Sequence, residues 1–421
     1  MTRFDRSSLS RREYARALVA AGGLSALAAC LETSDGEPDV PSGTDDPDAL
    51  PERQHAWNDT VATDDDGNVA LPEHHVLVPI ELTTVVDDDA RETVETAFRT
   101  LERAYEWSNE GLVFTVGYTP SYFDRFDESL PDTVDLPAPE ALTSGESPDF
   151  DAYDALIHLA SDRPSVVLEA EEALFGEREQ VNGVDLEVDL TDVFARVDEQ
   201  RRTGFVGAGL PADYADLDGV PDSVPEEAPF FMGFRAGFTD SQATEDRVTI
   251  EDGSFAGGTT QHVESMAINL TQWFDQENHY QRVSKLFSPA HAADDLVGGV
   301  GEELGGSSLV TDEVIASTAD DARDRGVVGH AQKAARARED GDPLLLRRDF
   351  NTVDGDRPGL HFLSLQRAVD EFVRVREAMN GEDLDVSMAN NGIRHYIFVE
   401  RRGNYLVPPR SLRALPVADP G

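Results

Sequence analysis

The order of the apolar segments is the feature that most restricts the fold of this sequence. A strand-like apolar run at 75–82 is followed by a helical stripe of apolar residues between 90 and 105, spaced to fall on one helical face. Two more strand-like runs follow at 111–117 and 155–160, and a second helical segment then begins at Pro164. Strand, helix, strand, strand, helix is the order of a ferredoxin-like α+β unit, so we predict that unit for the first half.

The second half repeats this order in outline. Its predicted segments are strands at 264–270, 344–346, 359–363 and 396–399 and helices at 279–286 and 369–379. The sequence therefore predicts an α+β fold of two ferredoxin-like units of the dimeric α+β barrel type, with antiparallel sheets and helices packed on them. We place the first unit at 73–230 and the second at 231–415, divided near Phe230.

The first 29 residues have the features of a targeting signal. Arg11 and Arg12 precede a short Ala/Gly-rich apolar stretch at 17–29, far below the roughly 20 residues that span a bilayer. This arrangement resembles a twin-arginine (Tat) export signal, so residues 1–29 are left out of the fold prediction. Cys30 ends a segment that resembles a lipobox, and we therefore expect export by the Tat route and anchoring to the outer face of the cytoplasmic membrane through Cys30.

Cys30 is the only cysteine of the chain. Once it carries a lipid, the mature domain has no thiol left for a disulfide, a zinc–cysteine site or a catalytic nucleophile. Residues 30–72 are dense in Asp, Gly, Pro and Thr with almost no apolar periodicity, so we predict an acidic, disordered tether between membrane and domain.

The charge of the chain excludes nucleic acid as a default partner. Its 83 acidic and 35 basic residues give a net charge of -48, which would repel a phosphate backbone. Lys285 and Lys333 are the only lysines, and acid excess with so little lysine indicates adaptation to high salt. Such salt shortens the Debye length to about 3 Å or less and so screens the repulsion between carboxylates. We interpret the charge as adaptation to a saline habitat and not as a feature of an active site.

Several strings of residues, taken in order, resemble the dye-decolourising (DyP-type) heme peroxidase family. In the first half they are 111–117, a turn at 121–126 similar to the family's S-x-F-D-R-F, and 154–162. In the second half, 257–275 is similar to GGSY-x-V…W, and His330, 345–350 and 359–372 are similar to the heme-ligating histidine, ILRR-aromatic and GL-x-F-x-x-x-Q…F. The resemblance covers about 76–408, nearly the whole mature domain.

The resemblance implies a heme b cofactor, with hydrogen peroxide and an unknown reducing substrate as partners. His330 would be the proximal ligand, because five-coordinate heme needs one neutral imidazole and an open opposite side. Arg348 would lie on the distal side, where a guanidinium stabilises the negative charge that develops as peroxide cleaves. Arg347 points to the opposite face in a regular strand and is counted with His330 and Arg348 among the cofactor-binding residues. Assembly of the chain into a homo-oligomer is compatible with the sequence, which does not determine the oligomeric state.

The chain departs from the family at its second distal position, an aspartate in a GFKDG motif that moves a proton between the peroxide oxygens. Aligning 233–237 with the motif puts Ala236, which cannot carry a proton, in the place of the aspartate. A shifted alignment over 237–241 restores a catalytic acid at Asp240 but loses the second glycine. Both registers stay open, and with Ala236 the peroxidase activity would be slow or absent.

Three functions fit these observations. The first is an exported, lipid-anchored DyP-type peroxidase that reduces hydrogen peroxide and oxidises an unknown donor. The second is a heme-binding or iron-handling surface lipoprotein with little or no turnover, which Ala236 favours. The third is a cofactor-free binding lipoprotein, which the presence of both His330 and Arg348 at the family's spacing disfavours.

Four other histidines are weaker candidates for a functional role. His262 and His361 lie in strands near the predicted cavity, where they could touch a heme propionate or simply pack. His74 and His75 begin the first strand, and we favour no function over a metal site for that pair.

Overall fold

The computed structural model describes residues 39–421. Arg11, Arg12 and Cys30 lie outside the described residues, so the export signal and the lipid anchor stay predictions. Within residues 39–421, no helix combines the length and the apolar character needed to cross a membrane.

The strands are β1 His74–Leu82, β2 Val113–Tyr118, β3 Asp149–Phe150, β4 Ala155–Ser161, β5 Gln180–Val181, β6 Val184–Asp185, β7 Phe194–Arg196, β8 Arg202–Phe205, β9 Thr259–Ile268, β10 Leu346–Arg347, β11 Phe350–Thr352, β12 Gly359–Gln366 and β13 Ile397–Val407. The α-helices are α1 Asp88–Ala104, α2 Pro120–Phe123, α3 Pro164–Leu174, α4 Leu270–Gln276, α5 His279–Leu286, α6 Pro289–Ala293, α7 Asp312–Ala316, α8 Thr318–Arg325, α9 His330–Ala334 and α10 Val369–Asn380. Short 3-10 helices occupy Pro47–Ala49, Asp198–Gln200, Pro211–Tyr214, Thr239–Ser241, Glu302–Leu304, Ala335–Ala337, Met388–Asn390 and Arg410–Leu412.

Eight strands join edge to edge into a closed, antiparallel, barrel-like ring. Its order is β1, β4, β2, β13, β9, β12, β11, β8 and back to β1. Four of these strands come from each half of the chain, and the halves meet at two seams that are each one residue pair wide. The α+β fold class with antiparallel sheets is confirmed, and the two predicted sheets form one barrel-like body.

Side-chain alternation along the strands separates the inside of the ring from its outside. The interior cluster draws Leu77, Leu156, Val263, Leu363 and Tyr405 from strands of both halves. On the outside of the first sheet, α1 packs the apolar stripe predicted between 90 and 105, and the Asp87 carboxylate caps the helix by accepting the N–H of Ala90.

A buried charged group also lies inside the ring. The Asp151 carboxylate is fully shielded from solvent and accepts hydrogen bonds from Arg202 (2.5 and 2.7 Å) and from the hydroxyls of Tyr405 (2.5 Å) and Tyr153 (3.0 Å). Burial by itself raises the pKa of Asp151. The Arg202 guanidinium opposes this and, with the other hydrogen-bond donors around the carboxylate, leaves the net pKa below its ordinary value. The carboxylate therefore stays ionised and carries the counter-charge of Arg202.

The predicted tether at 30–72 is wrong for its C-terminal part, which packs on the domain. Trp57 is completely buried, and the Gln54 side chain donates to the carbonyl of Pro408 (2.8 Å) and accepts from the N–H of Val116 (2.9 Å). Apolar residues in this segment are too few for a periodic pattern, so local sequence gave no sign of the packing. The ordered domain therefore begins well before residue 73.

Candidate functional site

A cavity of about 630 Å³ lies outside the ring, lined mostly by the second half and also by residues 143–147 of the first half. We call it the His330 cavity. Its walls come from β9, β12 and β13, from helices α9 and α10, and from the loop at 230–238, and its lining is mostly apolar, including Phe234, Met266, Phe287, Phe362 and Phe372. Its volume lies in the range of pockets that enclose a small molecule or cofactor.

His330 lines this cavity at the first residue of α9. The preceding Gly329 has no side chain because a Cβ there would lie 1.8 Å from the carbonyl oxygen of Phe287. One turn on, the Lys333 ammonium donates to the carbonyls of Met379 (2.5 Å) and Asn391 (3.1 Å). The helix start that carries His330 is therefore fixed on both sides.

The His330 imidazole is neutral. Burial, with additional repulsion from Lys333, Arg347 and Arg376, lowers its pKa to about 3, so the ring is unprotonated near neutral pH. In the part of the chain that the structure describes, no hydrogen bond of the His330 side chain is formed. A neutral imidazole with a free lone pair is the form that binds a metal centre.

The two arginines of the β10 segment point to opposite faces, as strand alternation predicts. Arg347 lines the His330 cavity, together with Asp349. Arg348 instead points inward, where Nη2 donates to the carbonyl of His55 (2.6 Å) and the guanidinium lies 3.9 Å from the Trp57 ring centre. The structure therefore brings Arg347, not Arg348, to the cavity of His330.

This placement corrects the expectation that Arg348 shares a cavity with His330. The chain runs antiparallel to β12 with Arg347 opposite Ser364 and Phe350 opposite His361, without a bulge between them. The face that carries Leu346 and Phe350 is turned into the ring, so Arg348 turns inward with them.

Of the two candidates for the distal acid position, the structure brings Ala236 to the cavity and not Asp240. Ala236 lines the His330 cavity. The Asp240 carboxylate accepts hydrogen bonds from the Ser307 hydroxyl (2.7 Å) and the Ser308 N–H (2.8 Å). It therefore holds the loop at 307–308 in place. It lines neither this cavity nor the next one described.

A second cavity of about 760 Å³ adjoins the first. We call it the polar cavity, because charged residues of both signs line it, among them Arg53, Asp64, Glu245 and Arg348. The residues shared by both cavities are Phe230, Arg235, Ala236, Gly237, Arg347 and Asp349. His330 lines only the first cavity, so the shared residues form the boundary between His330's chamber and the polar one.

Asp349 is the boundary residue that sequence reasoning missed. Its carboxyl is about nine-tenths buried, and burial raises its pKa to about 6 against the opposing effect of Arg347. Oδ1 accepts the N–H of Leu363 (3.2 Å), and Oδ2 lies 3.7 Å from Nη1 of Arg347. The alternation that places Arg347 on the cavity face also places Asp349 there, so the signal was present once that face is known.

The weaker histidine candidates are held by other side chains. The His262 ring stacks on Phe372 at 3.6 Å with Nδ1 2.6 Å from Oδ1 of Asn404, and His361 lies 3.2 Å from the Asp354 carboxylate. His75 Nδ1 lies 2.9 Å from Nε2 of His158 inside the ring. None of these three histidines lines the His330 cavity.

A protein-family model matches most of the chain. The model of a family of unknown function (DUF7405) matches residues 72–409. No curated protein matches the sequence.

Solved structures of DyP-type peroxidases share the fold. A dye-decolorizing peroxidase from Bacteroides thetaiotaomicron is 15% identical with a TM-score of 0.54, over 85% of this chain and 99% of that one. The encapsulated DyP-type peroxidase from Mycobacterium smegmatis is 14% identical with a TM-score of 0.52, over 83% and 96%. A variant of DypB from Rhodococcus jostii RHA1 in complex with heme is 16% identical with a TM-score of 0.52, over 82% and 96%. The chain belongs to the family of unknown function DUF7405, and its fold is that of the DyP-type peroxidases.

Proposed function

We propose that the protein binds heme b in the His330 cavity and acts as an exported, lipid-anchored peroxidase that reduces hydrogen peroxide and oxidises a separate donor. The observation that carries the proposal is the neutral, unbonded imidazole of His330 in a largely apolar cavity of cofactor size. A DypB variant of the same fold was solved in complex with heme, which supports this choice of cofactor.

The residues of the cavity fit such a group. Heme is a flat apolar ring with two carboxylates, so its pocket needs apolar walls, one axial ligand and cationic partners at an edge. Arg338 donates to the carbonyls of Val310 (3.3 Å) and Asp240 (2.9 Å), and Arg394 donates to the carbonyl of Asn380 (2.8 Å). Both line the cavity without an ion pair to any carboxylate among residues 39–421, which leaves them suited to hold propionates.

The residues of the cavity would then divide the work as follows. His330 would hold the iron, and the bound heme would supply the two-electron chemistry that reduces peroxide. Arg347 would place a positive charge where negative charge develops on peroxide as its O–O bond breaks. The apolar walls would exclude bulk water and so strengthen the effect of Arg347.

A hemin titration in multi-molar salt tests the proposal. The salt is needed because the net charge of -48 destabilises the compact state at low ionic strength. We expect a saturable Soret band near one equivalent of hemin, followed by peroxide-dependent oxidation of a dye. A flat titration on folded protein would exclude the cofactor and favour a cofactor-free binding lipoprotein.

Ala236 favours a second candidate function, a heme-binding or iron-handling surface lipoprotein with little turnover. A methyl group faces the boundary of the two cavities at the position where the DyP-type resemblance places an acid. Hemin binding with a Soret band that does not respond to peroxide would select this second function.

Replacing Arg347 by alanine is expected to slow the peroxide reaction, whereas replacing Arg348 by alanine is expected to reduce folding stability. Arg347→Ala should leave the thermal unfolding temperature unchanged and slow the peroxide reaction of hemin-loaded protein by about 100-fold, because a charge aimed at the reaction is lost. Arg348→Ala should instead cost about 3 kcal/mol of folding free energy, because a buried guanidinium that contacts His55, Trp57 and Glu245 is removed. Stopped-flow rates and urea denaturation of both variants check this, and the reverse pattern would return Arg348 to the catalytic position.

The export and anchoring proposal has its own test. Replacing Arg11 and Arg12 by lysine should keep the protein in the cytoplasm of a Tat-competent host, and Cys30→Ser should release exported protein into the medium. Cell fractionation with immunoblotting measures both. The same exchange at Arg3 and Arg6, outside the twin motif, is the control, and membrane attachment of Cys30→Ser protein would contradict the lipid anchor.

A further inference from the structure

The boundary between the two cavities contains an acidic side chain in an unusual setting. Asp349 is the carboxyl that lines both the His330 cavity and the polar cavity. Arg347, two residues earlier in the chain, forms an ion pair with it. From β12, the N–H of Leu363 holds Oδ1, which leaves Oδ2 facing Arg347 at 3.7 Å. The carboxyl is thus fixed in direction, and within residues 39–421 its Oδ2 accepts no hydrogen bond and has only the longer contact with Arg347.

The charged surroundings of Asp349 are simple. Arg347 is the charged group that acts on it from its own strand, and Leu363 contributes a backbone N–H from β12. Across the boundary, Arg235 is occupied by an ion pair with Asp64. Burial opposes ionisation more than Arg347 favours it, so Asp349 changes its protonation state near pH 6.

Among the residues that line both cavities, Asp349 is the one that carries a carboxyl group. Ala236 lies on the same boundary and carries only a methyl group, so it leaves space there but moves no proton. Asp240, the competing acid, is bound to Ser307 and Ser308 away from both cavities.

We propose that Asp349 is the proton-carrying residue at the boundary, where it deprotonates small neutral acids that enter from the polar cavity. The proposal rests on the proposed heme function and names the group that handles the proton there. For an acid HX, the H–X bond breaks, its electron pair stays on X, and the proton moves to the Asp349 carboxylate. The anion X⁻ is then bound in the His330 cavity, and protonated Asp349 returns its proton to solvent or to the leaving product.

Cyanide association with hemin-loaded protein tests this step without any turnover. Hydrogen cyanide is a small neutral acid at neutral pH and must lose its proton to bind as the anion. We expect the association rate of the unaltered protein to rise through an inflection near pH 6, because only the ionised carboxylate accepts the proton. Asp349→Asn should remove the inflection and slow association by about 100-fold, with hemin affinity unchanged.

Two further measurements keep the outcomes separate. The asparagine is isosteric and still accepts the Leu363 N–H, so folding is preserved. Infrared difference spectra of the cofactor-free unaltered protein should show a carboxyl band that titrates near pH 6, and the cofactor-free Asp349→Asn protein should lack that band. Equal cyanide rates in Asp349→Asn and unaltered protein, both with hemin bound, would overturn this inference alone. Loss of the inflection in Asp240→Asn but not in Asp349→Asn would move the role to Asp240. Failure of the unaltered protein to bind hemin would overturn the proposed function and the inference together.

Discussion

Replacing His330 by alanine is expected to abolish tight hemin binding. His330 is the imidazole that lines the cavity in a neutral, unbonded form, and its helix start is fixed by Gly329 and Lys333. Loss of groups that merely orient a metal ligand weakens affinity by about 10- to 100-fold, so loss of the ligand should weaken it by at least about 100-fold. The Soret band measured against hemin concentration reports the change directly.

His395→Ala is the matched control. His395 lines the same cavity, but its Nε2 is 2.6 Å from Nε2 of Gln272, so its ring already has a partner. We expect its Soret band and hemin affinity to match those of the unaltered protein. An intact Soret band in His330→Ala with a lost one in His395→Ala would transfer the ligand role to His395.

Replacing Asp151 by asparagine is expected to cause a large loss of folding stability. The carboxylate is inaccessible to solvent and neutralises Arg202, which is itself 4% exposed. Asparagine leaves that guanidinium buried without a counter-charge, which costs about 3–5 kcal/mol. Urea denaturation in multi-molar salt, followed by tryptophan fluorescence, measures the free energy of unfolding.

Asp149→Asn is the control for this change, because it removes a carboxylate from the same segment. Asp149 is 84% exposed and lies 3.6 Å from Arg401, so its loss should alter stability by less than about 1 kcal/mol. The pKa of Asp151 is lowered in the folded state, so its stabilising effect is present above its unfolded pKa of about 3.8 and is lost as pH falls through the folded value. A gap between Asp151→Asn and unaltered protein that widens on acidification would contradict this account.

The two halves of the ring show how far the sequence predicts the fold. Segments such as β1 and α1 are identified correctly because apolar periodicity is a local property of the chain. The prediction for 30–72 fails at Trp57, because a single buried aromatic residue packs on distant strands and has no local pattern. The joining of both sheets into one ring also depends on contacts between residues far apart in sequence, such as Leu406 and Tyr118.

The sequence by itself determined the α+β class, the order of the segments with clear apolar periodicity and the candidate position of His330. It did not predict the short strands β8 and β11, which form one of the two seams. It also determined that Arg347 and Arg348 face opposite sides, since neighbours on a strand always do. Only the tertiary structure decided that Arg347 and Asp349 face the cavity, because that depends on which side of the strand is turned into the ring. Strand alternation fixes relative direction from local geometry, whereas inside and outside exist only after the distant strands have closed on one another.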